Sequence, residues 1–137
     1  MSVQQVGGDH YSATYQHWDW ATDTALGYLE GSATKYVSRW WKKGGKQDLE
    51  KGLSFIYKLQ AAAQVPDFPD AFHRPLRSLP LLQRFKAAAQ LNTTEDDIIT
   101  LIDGWTRENG ALDMAAQLTR LLISNGQRNP FGYDGEG

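Results

Sequence analysis

The chain has 137 residues, a net charge of −2, 41% hydrophobic and 22% charged residues, and no cysteine. Those values fit one ordinary globular domain with a modest core. They exclude a disulfide framework, a thiolate metal site and the basic excess of a general nucleic-acid binder. No apolar run approaches the ~20 residues a membrane span requires and no signal-peptide pattern opens the chain, so a cytoplasmic, non-membrane protein is expected.

Residues 1–17 are polar, aperiodic and glycine-bearing, and read as a loop or arm containing "GGDHY" (Gly7 to Tyr11). Helical patterning starts weakly over Trp18 to Tyr28, with Gly27 as an interruption. It is firm from Glu30 to Lys43, where Ala33, Val37, Trp40 and Trp41 recur at i, i+4, i+7 and i+8. Gly44-Gly45 ends that helix, and lysines in its final turn suit the negative end of the helix dipole. A second helix follows over Gln47 to Gln64, with Leu49, Leu53, Ile56 and Ala63 as its core stripe and Asp48 and Glu50 in its first turn. Two amphipathic helices joined by two glycines read as an antiparallel helical hairpin, so residues 18–64 form a helical core.

Residues 65–80 carry four prolines (Pro66, Pro69, Pro75, Pro80) and read as a linker pinned by Phe68 and Phe72. Helix returns over Leu81 to Leu91. Thr93-Thr94 followed by Glu95, Asp96 and Asp97 is an N-terminal helix signature, with Ile98, Ile99, Leu101, Ile102 and Trp105 as the buried face. "ENG" (Glu108 to Gly110) stops that helix. A last one, Leu112 to Ser124, is expected to bury Met114, Leu118, Leu121 and Leu122. Residues 81–125 thereby complete the same domain, and the glycine-rich 126–137 read as a disordered tail. No stretch alternates with period two for long enough to form a sheet, so the fold class is all-α. The stripes of Ile98, Ile102, Trp105, Leu118 and Leu122 on short helices ask for a large apolar partner, which points to a homo-oligomer.

Chemistry concentrates in two places. On the Glu30–Lys43 helix, Lys35, Arg39 and Lys42 stand at i, i+4 and i+7 and form one cationic stripe, with Val37 on the buried side. A solvated face usually mixes signs to gain i,i+4 pairs, and this stripe does not. Aligned cations repel unless an anion joins them, and an arginine can grip a phosphate through two hydrogen bonds. Tyr36, Trp40 and Trp41 are interleaved with the cations, and aromatics in such a setting can stack on a base. Adjacent helix positions diverge by ~100°, so one tryptophan is core and the other lies at a rim, interface or ligand. The second place is the loop of Asp9, His10 and Tyr11, where the preceding glycines permit close backbone approach to a ligand. His17 and His73 lack partners at metal-ligand spacing, so zinc is not expected. Neither GxxxxGK[ST] nor GxGxxG occurs.

The pairing of "GGDHY" with "KYVSRWWKKGGKQDLEKG" resembles the small phage-encoded family labelled a domain of unknown function or "nucleotide kinase". The resemblance covers residues 7 to about 60. The family pattern falls on Gly7, Gly8, Asp9, His10, Tyr11, Glu30, Gly31, Lys35, Tyr36, Arg39, Lys43, Gly44, Gly45, Asp48 and Leu49. It implies work on nucleotides in the cytoplasm of an infected bacterial host.

The two lines together give a candidate nucleotide-binding set of Gly8, Asp9, His10, Tyr11, Lys35, Tyr36, Arg39, Trp40, Lys42, Lys43 and Lys46. The expected function is binding and sequestration of a phosphate-bearing nucleotide, cyclic and signalling nucleotides included, against host defence, with no cofactor. The alternative is a nucleoside monophosphate kinase without a P-loop. It would need ATP and Mg²⁺, the metal held through Asp9, Glu30 or Asp48. A third reading is a protein-binding inhibitor of a host enzyme that uses exposed aromatics.

Overall fold

The computed structural model describes residues 14–126. Among them it is entirely helical: α1 (His17–Asp23), α2 (Tyr28–Arg39), α3 (Lys46–Ala62), α4 (Leu79–Ala89), α5 (Thr93–Asp103) and α6 (Ala111–Asn125), with a 3-10 turn at Ala71–His73. The expected all-α class is what the described residues adopt. The GGDHY loop and the glycine-rich tail lie outside them.

Helices α2, α3, α6 and α5 pack in a closed cycle, each against the next, while α1 and α4 pack against one another. The bundle interior is filled by Ala33, Val37, Leu49, Ile56, Leu59, Ile98, Ile99, Ile102 and Ala115, all fully buried. The apolar stripes of α5 and α6 thus find their partner surface within the chain, and the sequence-based reason for a second copy falls away.

Two indole–carboxylate bonds fix α2 against α5. Near the start of α2, Glu30 Oε2 accepts from Trp105 Nε1 at 2.9 Å, just past the end of α5. At the other end of α2, Trp40 Nε1 donates to Glu95 Oε2 at 2.7 Å, in the first turn of α5. The two helices therefore run antiparallel. Glu95 serves twice, because its Oε1 accepts from Asn92 N at 3.0 Å while Asn92 Oδ1 accepts from Glu95 N at 2.9 Å. This is a capping box with asparagine as the cap. The cap was expected one residue later, at the threonines. Asn92 takes it because its short amide reaches the third helical N–H as well as a hydroxyl would.

Other boundaries also move. Helix α2 stops at Arg39 rather than Lys43: Arg39 O is shared by Lys42 N at 2.9 Å and Lys43 N at 3.0 Å, and Trp40 O accepts from Gly45 N at 2.7 Å while Gly44 N turns to the Asp48 carboxylate. Lys42 therefore lies outside the helix. Helix α4 starts at Leu79, with Ser78 capping and Pro80 in the first turn, where a missing N–H costs nothing. Met114 and Leu121 are 47% and 59% exposed and do not belong to the core of α6. Ala111, Leu112, Ala115, Ala116, Thr119 and Leu122 form its inner face instead. In the linker, Phe68 stacks on Trp105 at 6.2 Å between ring centroids, but Phe72 is 80% exposed and pins nothing. The missing anchor is Arg107, whose guanidinium bonds the carbonyls of Ala63, Val65 and Phe68.

On the α1–α4 side, Trp20 stacks face to face on Phe85 at 4.9 Å, and the His17 ring meets both edge-on. His17 Nε2 bonds Thr34 Oγ1 of α2 at 2.8 Å, tying this pair to the bundle. Burial, and then the Lys35 charge, lower the His17 pKa from 6.5 to about 4. A base depressed in the folded state is protonated first in the unfolded chain. Stability is therefore complete above pH 6.5 and falls as the pH drops towards 4, by up to ~1.4 kcal/mol per pH unit. Denaturant titrations across that window should show the slope in the wild type and its loss in His17→Gln. Trp40→Phe removes the donor to Glu95 and part of the ring volume. It should cost about 2–4 kcal/mol in urea unfolding, and an unchanged midpoint would refute the role given to this bond.

Candidate functional site

The outer surface of α2 and α3 carries the chain's charge imbalance. Residues 35–51 contain six cations (Lys35, Arg39, Lys42, Lys43, Lys46, Lys51) and two acids, in a chain whose net charge is −2. Tyr36 lies at the centre of three of these cations. Arg39 Cζ stands 5.0 Å from its ring centroid, Lys51 Nζ 5.5 Å and Lys35 Nζ 5.7 Å. Cations are drawn to the negative face of an aromatic ring, so Tyr36 gathers side chains that would otherwise repel one another. Its other neighbour is Phe55 of α3, near-parallel at 6.1 Å, and Tyr28 meets Phe55 edge-on at 6.0 Å. A row of three rings thus runs across the two helices, with Lys58 Nζ 4.8 Å from the Phe55 centroid.

The turn that joins α2 to α3 is built around Asp48. This buried carboxylate accepts from Arg39 Nε at 3.1 Å and from Gly44 N at 3.2 Å. A Cβ at Gly44 would collide with the Asp48 carboxyl group, so a larger residue there must displace that carboxylate. Gly45 is required for another reason. It caps α3 at φ +62° and ψ −150°, a backbone conformation closed to L side chains. The two glycines therefore have separate duties, one of space and one of conformation.

These facts change the expected stripe. The anion that Arg39 appeared to lack is Asp48, supplied from the next helix rather than from a ligand. Only Nε is used, however, and the outer edge of this one-third-exposed guanidinium carries no bond among the described residues. Lys35 and Arg39 do share the α2 surface, but Lys42 does not continue their row. It lies in the turn with Nζ 5.0 Å from the Trp41 ring. Lys43 and Lys46 are exposed on the same turn, one within it and one opening α3.

The tryptophans exchange roles. Trp40, expected in the site, is 2% exposed and bonded to Glu95, so it cannot stack on a base. Trp41 is the half-buried member beside the lysines. Gly8, Asp9, His10 and Tyr11 lie outside the described residues. Of the proposed metal ligands, Glu30 is held by Trp105 and Asp48 by Arg39, so the two serve different contacts. No group of three or more His, Asp or Glu among the described residues could hold a metal ion. Lys51 and Phe55 were missed from sequence. The available signal was that both lie on the α3 face turned toward Tyr36, which needs the register of α2 on α3 to be known.

A separate cavity of about 270 Å³ lies beside the first turn of α2, lined in part by Tyr28, Glu30, Phe68, Asp70, Asp103 and Trp105. Comparison with protein-family models, curated proteins and solved structures finds no match, so the site is judged on its geometry alone.

Gly44→Ala should drive its methyl into the Asp48 carboxyl and release Arg39. A loss of about 1–3 kcal/mol in thermal or urea unfolding is expected, and wild-type stability would show that the turn can relax without cost.

Proposed function

We propose that the outer face of α2 and α3 binds a phosphate-bearing nucleotide and holds it without turnover. The observation that supports this most directly is the convergence of Lys35, Arg39 and Lys51 on one tyrosine ring, with Asp48 the one carboxylate bonded within that group. Asp48 offsets one charge and orients Arg39, leaving the terminal nitrogens of the guanidinium to grip a phosphate. Lys42, Lys43 and Lys46 extend the positive field along the turn. Trp41 takes the stacking role first given to Trp40, because it alone of the pair reaches the surface. The GGDHY residues, Gly8 to Tyr11, would close over this face. The family resemblance supplies the setting, an infected bacterial cell in which removal of a host nucleotide signal benefits a phage.

The kinase reading needs Mg²⁺ and a second nucleotide site. Glu30 and Asp48 are engaged in separate contacts, so a metal would rest on Asp9 and groups outside the described residues. That is why binding is preferred to catalysis. Inhibition of a host enzyme through exposed aromatics would use Tyr28, Phe72 and Trp18 rather than the cationic face. Self-association remains part of the proposal, with the exposed Met114 and Leu121 of α6 in the surface it would cover. A monomer by light scattering at micromolar concentration would remove that part.

Two measurements test the main reading. Protein purified from host cells should release an intact nucleotide on heat denaturation, identified by mass spectrometry. With ATP as probe, Lys35→Ala and Lys51→Ala should each weaken binding about 10- to 150-fold with unchanged helix content, and added salt should weaken it further. Binding equal to wild type in both variants would reduce the face to a solvated surface. EDTA should leave binding intact. Diphosphate production from a nucleoside monophosphate and ATP, abolished by EDTA, would establish the kinase instead.

A further inference from the structure

The cavity beside the first turn of α2 contains a buried carboxylate that the protein leaves half used. Glu30 is 7% exposed, and its carboxylate's one hydrogen bond among the described residues is from Trp105 Nε1 to Oε2. It forms no ion pair there. The other two carboxylates of the cavity wall are satisfied: Asp103 is held by Arg74 and Arg77, and Asp70 by His73 and Phe72 N. Glu30 Oε1 lies against Gly27, 2.5 Å from where a Cβ would stand, and Gly27 and Glu30 both line the cavity. Oε1 takes no hydrogen bond among the described residues, and Glu30 is one of the residues that line the cavity. The remaining walls are mostly apolar, with Tyr28, Leu29, Phe68, Pro69 and Trp105.

A carboxylate taken out of water is costly unless it is paired and fully hydrogen-bonded. The positive end of the α2 dipole favours the charge of Glu30 but fills no lone pair. Arg74 lines the same cavity and gives Nη1 and Nη2 to Asp103, which offsets its charge, while its buried Nε has no partner among the described residues. Arg77 adds a charge from a position one-third exposed, where water screens it. Of the three carboxylates on the wall, Glu30 is the one without a cationic partner among the described residues. At about 270 Å³ the space sits near the lower limit for ligand sites, so the occupant is small.

We propose that this cavity binds a small organic cation, an apolar body bearing an ammonium group whose N–H donates to Glu30 Oε1. The site is separate from the nucleotide face. Glu30 and Lys35 lie five residues apart on α2, about 140° around the helix, so either proposal can fail without the other.

Benzylammonium and its neutral counterpart benzyl alcohol are the probes, titrated into the full chain while the Trp105 indole N–H is followed by NMR. Benzylammonium should shift that resonance and bind about tenfold or more tightly than the alcohol. Glu30→Gln keeps an oxygen for Trp105 but loses the charge, and should erase the preference. Gly27→Ala presses a methyl on Oε1 at a residue whose φ of −65° suits alanine, and should weaken benzylammonium binding even if Glu30→Gln does not fold. Equal binding of the two probes, binding of neither, a preference that survives Glu30→Gln, or wild-type affinity in Gly27→Ala would each overturn the assignment.

Discussion

The paired indole–carboxylate bonds between α2 and α5 are the constraint from which the remaining arrangement follows. Trp40 with Glu95 and Trp105 with Glu30 lock opposite ends of an antiparallel pair. A helix held at both ends can neither slide nor rotate without stranding a buried carboxylate. Such a loss costs more than the bond itself contributes. With the α5 side of α2 fixed, the opposite side is fixed too, and it is the side that carries Lys35, Tyr36 and Arg39. The rotation of α2 thus decides which residues can meet a ligand, and it removes Trp40 from them.

The same pattern recurs where α2 meets α3. Arg39 closes the last turn of α2, where a cation suits the dipole, and Asp48 lies in the first turn of α3, where an anion does. Their bond therefore satisfies both helix ends as well as each other. The turn is short enough that Asp48 presses on Gly44, so spacing and charge act together. One consequence is that Arg39 is held in a fixed direction by Nε and by the Tyr36 ring.

Much of this was legible in the sequence, and the failures have physical causes. Helical periodicity located the α2 and α3 stripes, and Ala33, Val37, Leu49 and Ile56 are buried as their spacing required. The i, i+7 relation of Lys35 and Lys42 assumed that the helix continued to Lys43. Trp40 O is instead taken by Gly45 N and Gly44 N by the Asp48 carboxylate, and periodicity contains no signal for that. The choice between Trp40 and Trp41 depended on Glu95, 55 residues away, and Lys51 entered the site only through the register of α3. Met114 and Leu121 misled because α6 uses small residues, Ala111, Ala115 and Ala116, to approach its neighbours closely. An alanine face is quieter in sequence than a leucine stripe, although it packs as tightly.

The distribution of charge along α2 connects the two surfaces. Its one acid, Glu30, is in the first turn and its last cation, Arg39, is in the final turn, so both charges agree with the helix dipole. Glu30 lies at the wall of a cavity whose lining is mostly apolar, where a single charge acts strongly over a few ångströms. Arg39 and Lys35 turn outward, where water screens each charge and only several acting together make a field.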